Sequence, residues 1–180
     1  MPERGSVTRS NLKIKIVAVP LRLTEPRAAL VFIRVNPCPS VVENKMKIDS
    51  QKLIRAAAQA RAGAVAPYSQ FQVGAALLTK SGEIIGGANV ESASYGLTCC
   101  AERIALFKSL TDGRKNFAAL AVVARCAGGP MPCGACRQLL AEYAPDAKVF
   151  VADSGCLEKI RTFTVRKLLP SAFVLSADAP

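Results

Sequence analysis

Hydrophobic positions follow regular periods only from about Ser50 onward. Ser50 reads as an N-cap, and Leu53, Ile54, Ala57, Ala58 and Arg61 follow at helical spacing up to Gly63. Pro67-Tyr68-Ser69 reads as a turn. Phe71, Val73, Ala75 and Leu77 then alternate as a strand, which ends near Ser81-Gly82. Ile84 to Val90 is the expected hairpin partner. A helix is predicted to open near Thr98 and carry Ile104, Ala105 and Leu110. Ala118 to Ala124 is a continuous apolar run, the pattern of a strand covered on both faces. A further helix opens near Cys133 and runs through Leu139, Leu140 and Tyr143. Val149 to Ala152 is another buried strand, Ile160 to Val165 the last, and Leu168-Leu169-Pro170 closes a short helix. Strand pair, helix, strand, helix, strand, strand specifies an α/β sandwich with one mixed sheet.

Residues 1–45 carry no sustained period. Five prolines punctuate them, and Arg22, Arg27 and Arg34 break their short apolar runs. The uninterrupted apolar stretch of a signal peptide is missing, and no run approaches a membrane span. The chain is therefore divided into a basic, proline-containing extension, 1–45, and a patterned domain, 46–180. The extension is read as a disordered tail or a start-site artefact, with translation beginning at Met46; an ordered extension is the other reading.

Composition narrows the chemistry. With 180 residues and 51% hydrophobic content the chain can build one core, but not two full domains. It contains no histidine. Ser-His-Asp and Cys-His catalysis and histidine metal ligation are therefore excluded. Seven cysteines, an odd number, argue against a disulfide scaffold and for a reducing compartment. The net charge of +11 suggests nucleic acid at first sight, but the basic residues form no dense block.

Two cysteine clusters carry the candidate chemistry: Cys99-Cys100-Ala101-Glu102-Arg103 and Pro132-Cys133-Gly134-Ala135-Cys136-Arg137. One Cys-x-x-Cys pair plus a separate Cys-x-Glu offers three sulfurs and a carboxylate. Three protein ligands and an open position suit a catalytic zinc. Both clusters fall at expected helix starts, where the dipole favours thiolates. Arg103 and Arg137 each adjoin a ligand cysteine and could offset the excess negative charge from outside the ligand set. The order Cys-x-Glu then Pro-Cys-x-x-Cys is the pattern of zinc nucleobase deaminases, in which the Glu is not a ligand. Only Cys100 leaves one residue before Glu102, so Cys100, Cys133 and Cys136 are the expected zinc ligands, with Glu102 as catalytic acid/base. Cys99 is read as a non-ligand.

From about Met46 to Phe173 the chain resembles a cytidine deaminase of the small, homotetrameric type. The resemblance rests on those two clusters, the second continuing to Gln138, and on Tyr68-Ser69-x-Phe71-x-Val73-Gly74-Ala75-Ala76-Leu77, Asn89-Val90-Glu91-Ser92-Ala93-Ser94-Tyr95 and Leu168-Leu169-Pro170-Ser171-x-Phe173. It implies a three-layer α/β/α sandwich around a mixed five-stranded sheet. It also implies one zinc per subunit, with active sites shared between subunits. Asn89 and Glu91 resemble residues that bond the ribose 3′-hydroxyl, and Phe71 an aromatic lining the pyrimidine site. Ala93 and Tyr95 match positions that reach a substrate in an adjacent subunit, and Phe173 an aromatic that covers the neighbour's base. The expectation is a cytoplasmic hydrolase of pyrimidine salvage that converts cytidine and deoxycytidine to uridine and deoxyuridine with release of ammonia. No organic cofactor, nucleic acid polymer or membrane partner is expected. A polynucleotide-editing deaminase, a non-enzymatic zinc module and a deaminase of another small base, such as that of a blasticidin-like nucleoside, are the competing readings.

Overall fold

The computed structural model describes residues 47–175. The expectations for residues 1–45 lie outside the described residues. In chain order the elements are α1 (Ser50–Arg61), β1 (Val73–Thr79), β2 (Ile84–Ala88), a 3₁₀ turn (Tyr95–Leu97), α2 (Ala101–Thr111), β3 (Phe117–Ala124), α3 (Gly134–Tyr143), β4 (Lys148–Asp153), β5 (Cys156–Thr164) and α4 (Val165–Leu168). The five strands form one sheet in the order β2-β1-β3-β4-β5. β3 and β4 are parallel and joined by α3, and every other neighbouring pair is antiparallel. The mixed five-stranded α/β sandwich agrees with the expected fold.

Side-chain parity divides the core into two layers. Ala75, Leu77, Leu120, Val122, Val149 and Val151 pack with Ala101, Ala105 and Leu106 of α2 and Leu140 of α3. The alternate positions Ala76, Leu78, Ala119, Ala121, Val123, Phe150 and Ala152 pack against Leu53, Ile54 and Ala57 of α1. β1 therefore buries both faces, not the one face that an alternating strand implies. Its start moves from Phe71 to Val73.

Close helix approach depends on missing side chains. A Cβ on Gly87 of β2 would stand 2.5 Å from the Ala101 carbonyl oxygen and 2.5 Å from the Ala105 nitrogen. Bare backbone there lets the first turn of α2 lie directly on the sheet. On the other face, a Cβ on Gly74 would strike the Ala57 carbonyl of α1.

Other local boundaries differ from the sequence reading, among them the end of β2, at Ala88 rather than Val90. Asp49, not Ser50, caps α1, its Oδ1 accepting from the Lys52 N–H at 2.9 Å. α2 opens at Ala101, three residues beyond Thr98, because Cys99 is held in a bridge with Val90. β5 begins at Cys156 rather than Ile160; its Glu158, Lys159 and Arg161 are the exposed residues of an edge strand, which an apolar-run criterion passes over.

Candidate metal centre and active site

The starts of α2 and α3 converge. Cys100 is the N-cap of α2 and Cys133 the N-cap of α3, both with extended backbone. Neither side chain caps its own helix, so both sulfurs are free to face outward. Cys136 lies one turn into α3 and is buried. Their Sγ atoms stand 3.8 Å apart for Cys100–Cys133 and 3.5 Å for Cys133–Cys136, and all three lie within 4.8 Å of one another. Cys99 is not in this group; its backbone N–H and C=O are both bonded to Val90.

The sulfurs are electrostatically unequal. A hydrogen bond from Cys136 brings the Cys100 thiol down to about 5 against the effect of burial, with Arg103 adding to the lowering. Cys136 is pushed up in return, by that same bond and by burial. Arg103 Nη2 donates to the Thr98 carbonyl at 2.6 Å and lies 3.8 Å from Cys100 Sγ. Its Nε is buried without a partner. Arg137 is placed differently. It donates to the carbonyls of Pro132 (2.8 Å) and Leu168 (3.2 Å), tying the start of α3 to α4. Glu102, in the first turn of α2, is 6% exposed. Burial pushes its carboxyl up to about 7. Three soft sulfur donors on two helix starts, with a cation beside them, fit a zinc ion. The cluster has no fourth protein ligand among the described residues, which leaves a coordination position for a small molecule.

The other sequence-derived residues lie outside the strands and α-helices, and the segment carrying Asn89 and Glu91 is linked to the cluster through the Val90–Cys99 bridge. Segment 89–91 runs between two partners, bonded to Val65 on one side and to Cys99 on the other. Asn89 accepts from the Val73 N–H (2.8 Å) and donates to the Phe71 carbonyl (3.0 Å), so its amide fastens the entry to β1. Glu91 Oε2 accepts from the N–H groups of Tyr68 (3.0 Å) and Ser69 (3.1 Å), while Oε1 accepts from the Ser69 hydroxyl. The Ser69 bonds hold the Glu91 carboxyl below its ordinary value. A cavity of about 340 Å³ is lined by Tyr68, Ser69, Glu91, Ser92, Tyr95 and Thr98.

Phe71 is half exposed, Ala93 is exposed, and Tyr95 is 83% exposed. Phe173 does not join that cavity within the chain. Gln138 of α3 bonds both its backbone N–H (3.2 Å) and its C=O (2.8 Å), and its ring remains 69% exposed. Sequence reasoning assigned no function to Ser69 or Gln138. Ser69 and Gln138 each lie inside a motif that carries the resemblance, but neither motif's chemistry assigns them a role.

The comparisons with known proteins decide the family. The model of the cytidine and deoxycytidylate deaminase zinc-binding region matches residues 47–152. The chain belongs to this family. A cytidine deaminase from Halalkalibacterium halodurans is 56% identical over 128 residues, covering 70% of this chain and 95% of the relative. A blasticidin-S deaminase from Bacillus cereus is 36% identical over 110 residues, covering 57% of this chain and 76% of the relative. Among solved structures, a cytidine deaminase from Burkholderia pseudomallei is 46% identical with a TM-score of 0.67, covering 70% of this chain and all (100%) of that one. The family's zinc-binding region contains the three-sulfur cluster, and zinc is the metal of this deaminase.

Proposed function

We propose that the protein hydrolyses cytidine and deoxycytidine to uridine and deoxyuridine, releasing ammonia, as an enzyme of pyrimidine salvage. The observation that carries this is the three-sulfur cluster at two helix starts, with Glu102 buried in the first turn of α2, two residues after Cys100. Cys100, Cys133 and Cys136 would hold zinc, whose Lewis acidity makes water a competent nucleophile near neutral pH. Glu102 is the proton shuttle. Its carboxylate accepts the proton of the water that attacks C4 and delivers it to ring N3. Returned to the acid form, it protonates the departing amino group. Water in and ammonia out close the balance, and no histidine is required.

Asn89 and Glu91 would bind the ribose, and Phe71 the pyrimidine. Arg103 offsets thiolate charge through its contact with Cys100. Ala93, Tyr95 and Phe173 would complete a neighbour's site in a homotetramer. Support comes from large apolar side chains left in water: Tyr95, Leu97, Phe173, Val174 and Leu175. Light scattering reads that assembly directly. Residues 46–180 form the enzyme domain in this proposal, with 1–45 an extension. A cytoplasmic location is supported by the free thiols of the described cysteines. No helix among the described residues is long and apolar enough to cross a membrane.

A blasticidin-type nucleoside is the second reading, favoured by the relative at 36% identity. The test is ammonia release by zinc-loaded protein from cytidine, deoxycytidine, blasticidin S, adenosine and single-stranded DNA. Turnover of the two cytosine nucleosides is the expected result. Release from DNA alone would assign the protein to polynucleotide editing, and release from none would leave a zinc module without this activity.

A further inference from the structure

We infer that Ser69 is the positioning residue that orients Glu91 for reading the sugar. This deepens the proposed cytidine deamination and rests on it.

An ionised carboxylate has about four acceptor directions, two on each oxygen. On Glu91, Oε2 has both of its directions taken, by the Tyr68 and Ser69 N–H groups. Oε1 has one taken, by the Ser69 hydroxyl. One direction remains for a sugar hydroxyl, and it is on the oxygen that Ser69 holds. Without that bond the two backbone donors would fix only one oxygen, and Oε1 would be free to swing about it.

The sense of the Ser69 hydroxyl bond is also fixed. The Phe71 N–H donates to Ser69 Oγ at 3.0 Å. An N–H cannot accept and a carboxylate cannot donate, so the hydroxyl proton points to Glu91. Gln70 makes this possible. Its φ of 57° is the left-handed conformation, which turns the chain so that the Phe71 N–H faces back toward Ser69. One hydroxyl therefore links the sugar carboxylate to the backbone of the aromatic proposed for the base. Ser69 lines the same cavity as Glu91 and Tyr95, at its edge on the turn.

The test is a substrate-deletion comparison on the zinc-loaded enzyme. Cytidine carries the 3′-hydroxyl, whereas 2′,3′-dideoxycytidine does not. Ser69→Ala is expected to raise KM for cytidine on the order of tenfold, the effect of losing a hydrogen bond to a charged group, with kcat within about twofold. For 2′,3′-dideoxycytidine the loss in kcat/KM is several-fold smaller than for cytidine, being confined to the freed Phe71 N–H, and Ser69→Thr, which keeps the hydroxyl, restores cytidine KM. Ser69→Cys fills the same space but donates weakly, so it gives the same split if the alanine variant does not fold. An equal loss on both substrates, or no loss on cytidine, overturns the inference while leaving the deamination reading intact. Absence of cytidine turnover by the unaltered enzyme overturns both.

Discussion

The sulfur cluster and the Glu91 loop are linked through the Val90–Cys99 bridge but are held by different means. Cys100, Cys133, Cys136 and Glu102 sit on helix starts that are seated on a sheet buried on both faces. Their positions follow from backbone packing: α2 meets β2 at a bare glycine, and β3 feeds α3. The Glu91 side is a set of loops held by side-chain bonds to backbone. Asn89 holds Phe71 and Val73, Glu91 holds Tyr68 and Ser69, and the Thr98 hydroxyl accepts from the Ser92 N–H at 3.1 Å. Chemistry that needs three sulfurs at fixed separation gains from rigid elements. The proposed recognition of a sugar asks for less rigidity than that.

The sharpest way to break the cluster side is to remove a sulfur. Cys133→Ala is expected to abolish stoichiometric zinc and turnover together, read by elemental analysis and cytidine assay. Full zinc with retained activity would remove Cys133 from the ligand set. Glu102→Gln comes next. It keeps size and hydrogen bonding but cannot accept the proton, so kcat should fall ~10²–10⁴-fold at matched zinc content. A loss under about tenfold would defeat the proton-shuttle role. Gly87→Ala is milder. Its methyl would meet the Ala101 carbonyl and the Ala105 nitrogen, forcing α2 off the sheet. Overpacking of this kind costs about 1–3 kcal/mol, visible as a lower denaturation midpoint, with zinc affinity falling as the Cys100 end shifts. Unchanged stability would show that α2 is not seated through Gly87.

The same division explains what the sequence could tell. The cluster was legible because ligand chemistry is written in local spacing: Cys-x-Glu and Cys-x-x-Cys keep their meaning wherever the fold brings them together. The sheet was legible for the same kind of reason, since Ala118 to Ala124 and Val149 to Ala152 are continuous apolar runs. The start of α2 was not, because what stops the helix at Cys100 is a bridge to Val90, nine residues before Cys99 and on another segment. The Asn89 and Glu91 assignments rested on resemblance. Their observed bonds reach back 16 to 23 residues, to partners that no local pattern indicates. Ser69 escaped for that reason: its hydroxyl acts on a carboxylate 22 residues away.

The smallest expected effect separates the two regions by pH. Glu91 is held below its ordinary value by the Ser69 hydroxyl first, then by the Ser69 and Tyr68 N–H groups. A carboxyl lowered in the folded state keeps its interactions above the unfolded value and loses them only as pH falls through the lowered one. Between pH 7 and 5, then, Glu91 stays ionised, the turn stays fastened, and the proposed sugar acceptor stays available. The sulfur side behaves otherwise, since thiolate ligands compete with protons for the metal and affinity falls as pH falls. KM for cytidine should therefore hold within about twofold across this window, while any decline appears in kcat or in zinc content measured on the same samples. A KM that climbs in step with falling pH above 5, at constant zinc, would mean that the Glu91 carboxylate is not held down by Ser69 and Tyr68 as its hydrogen bonds require.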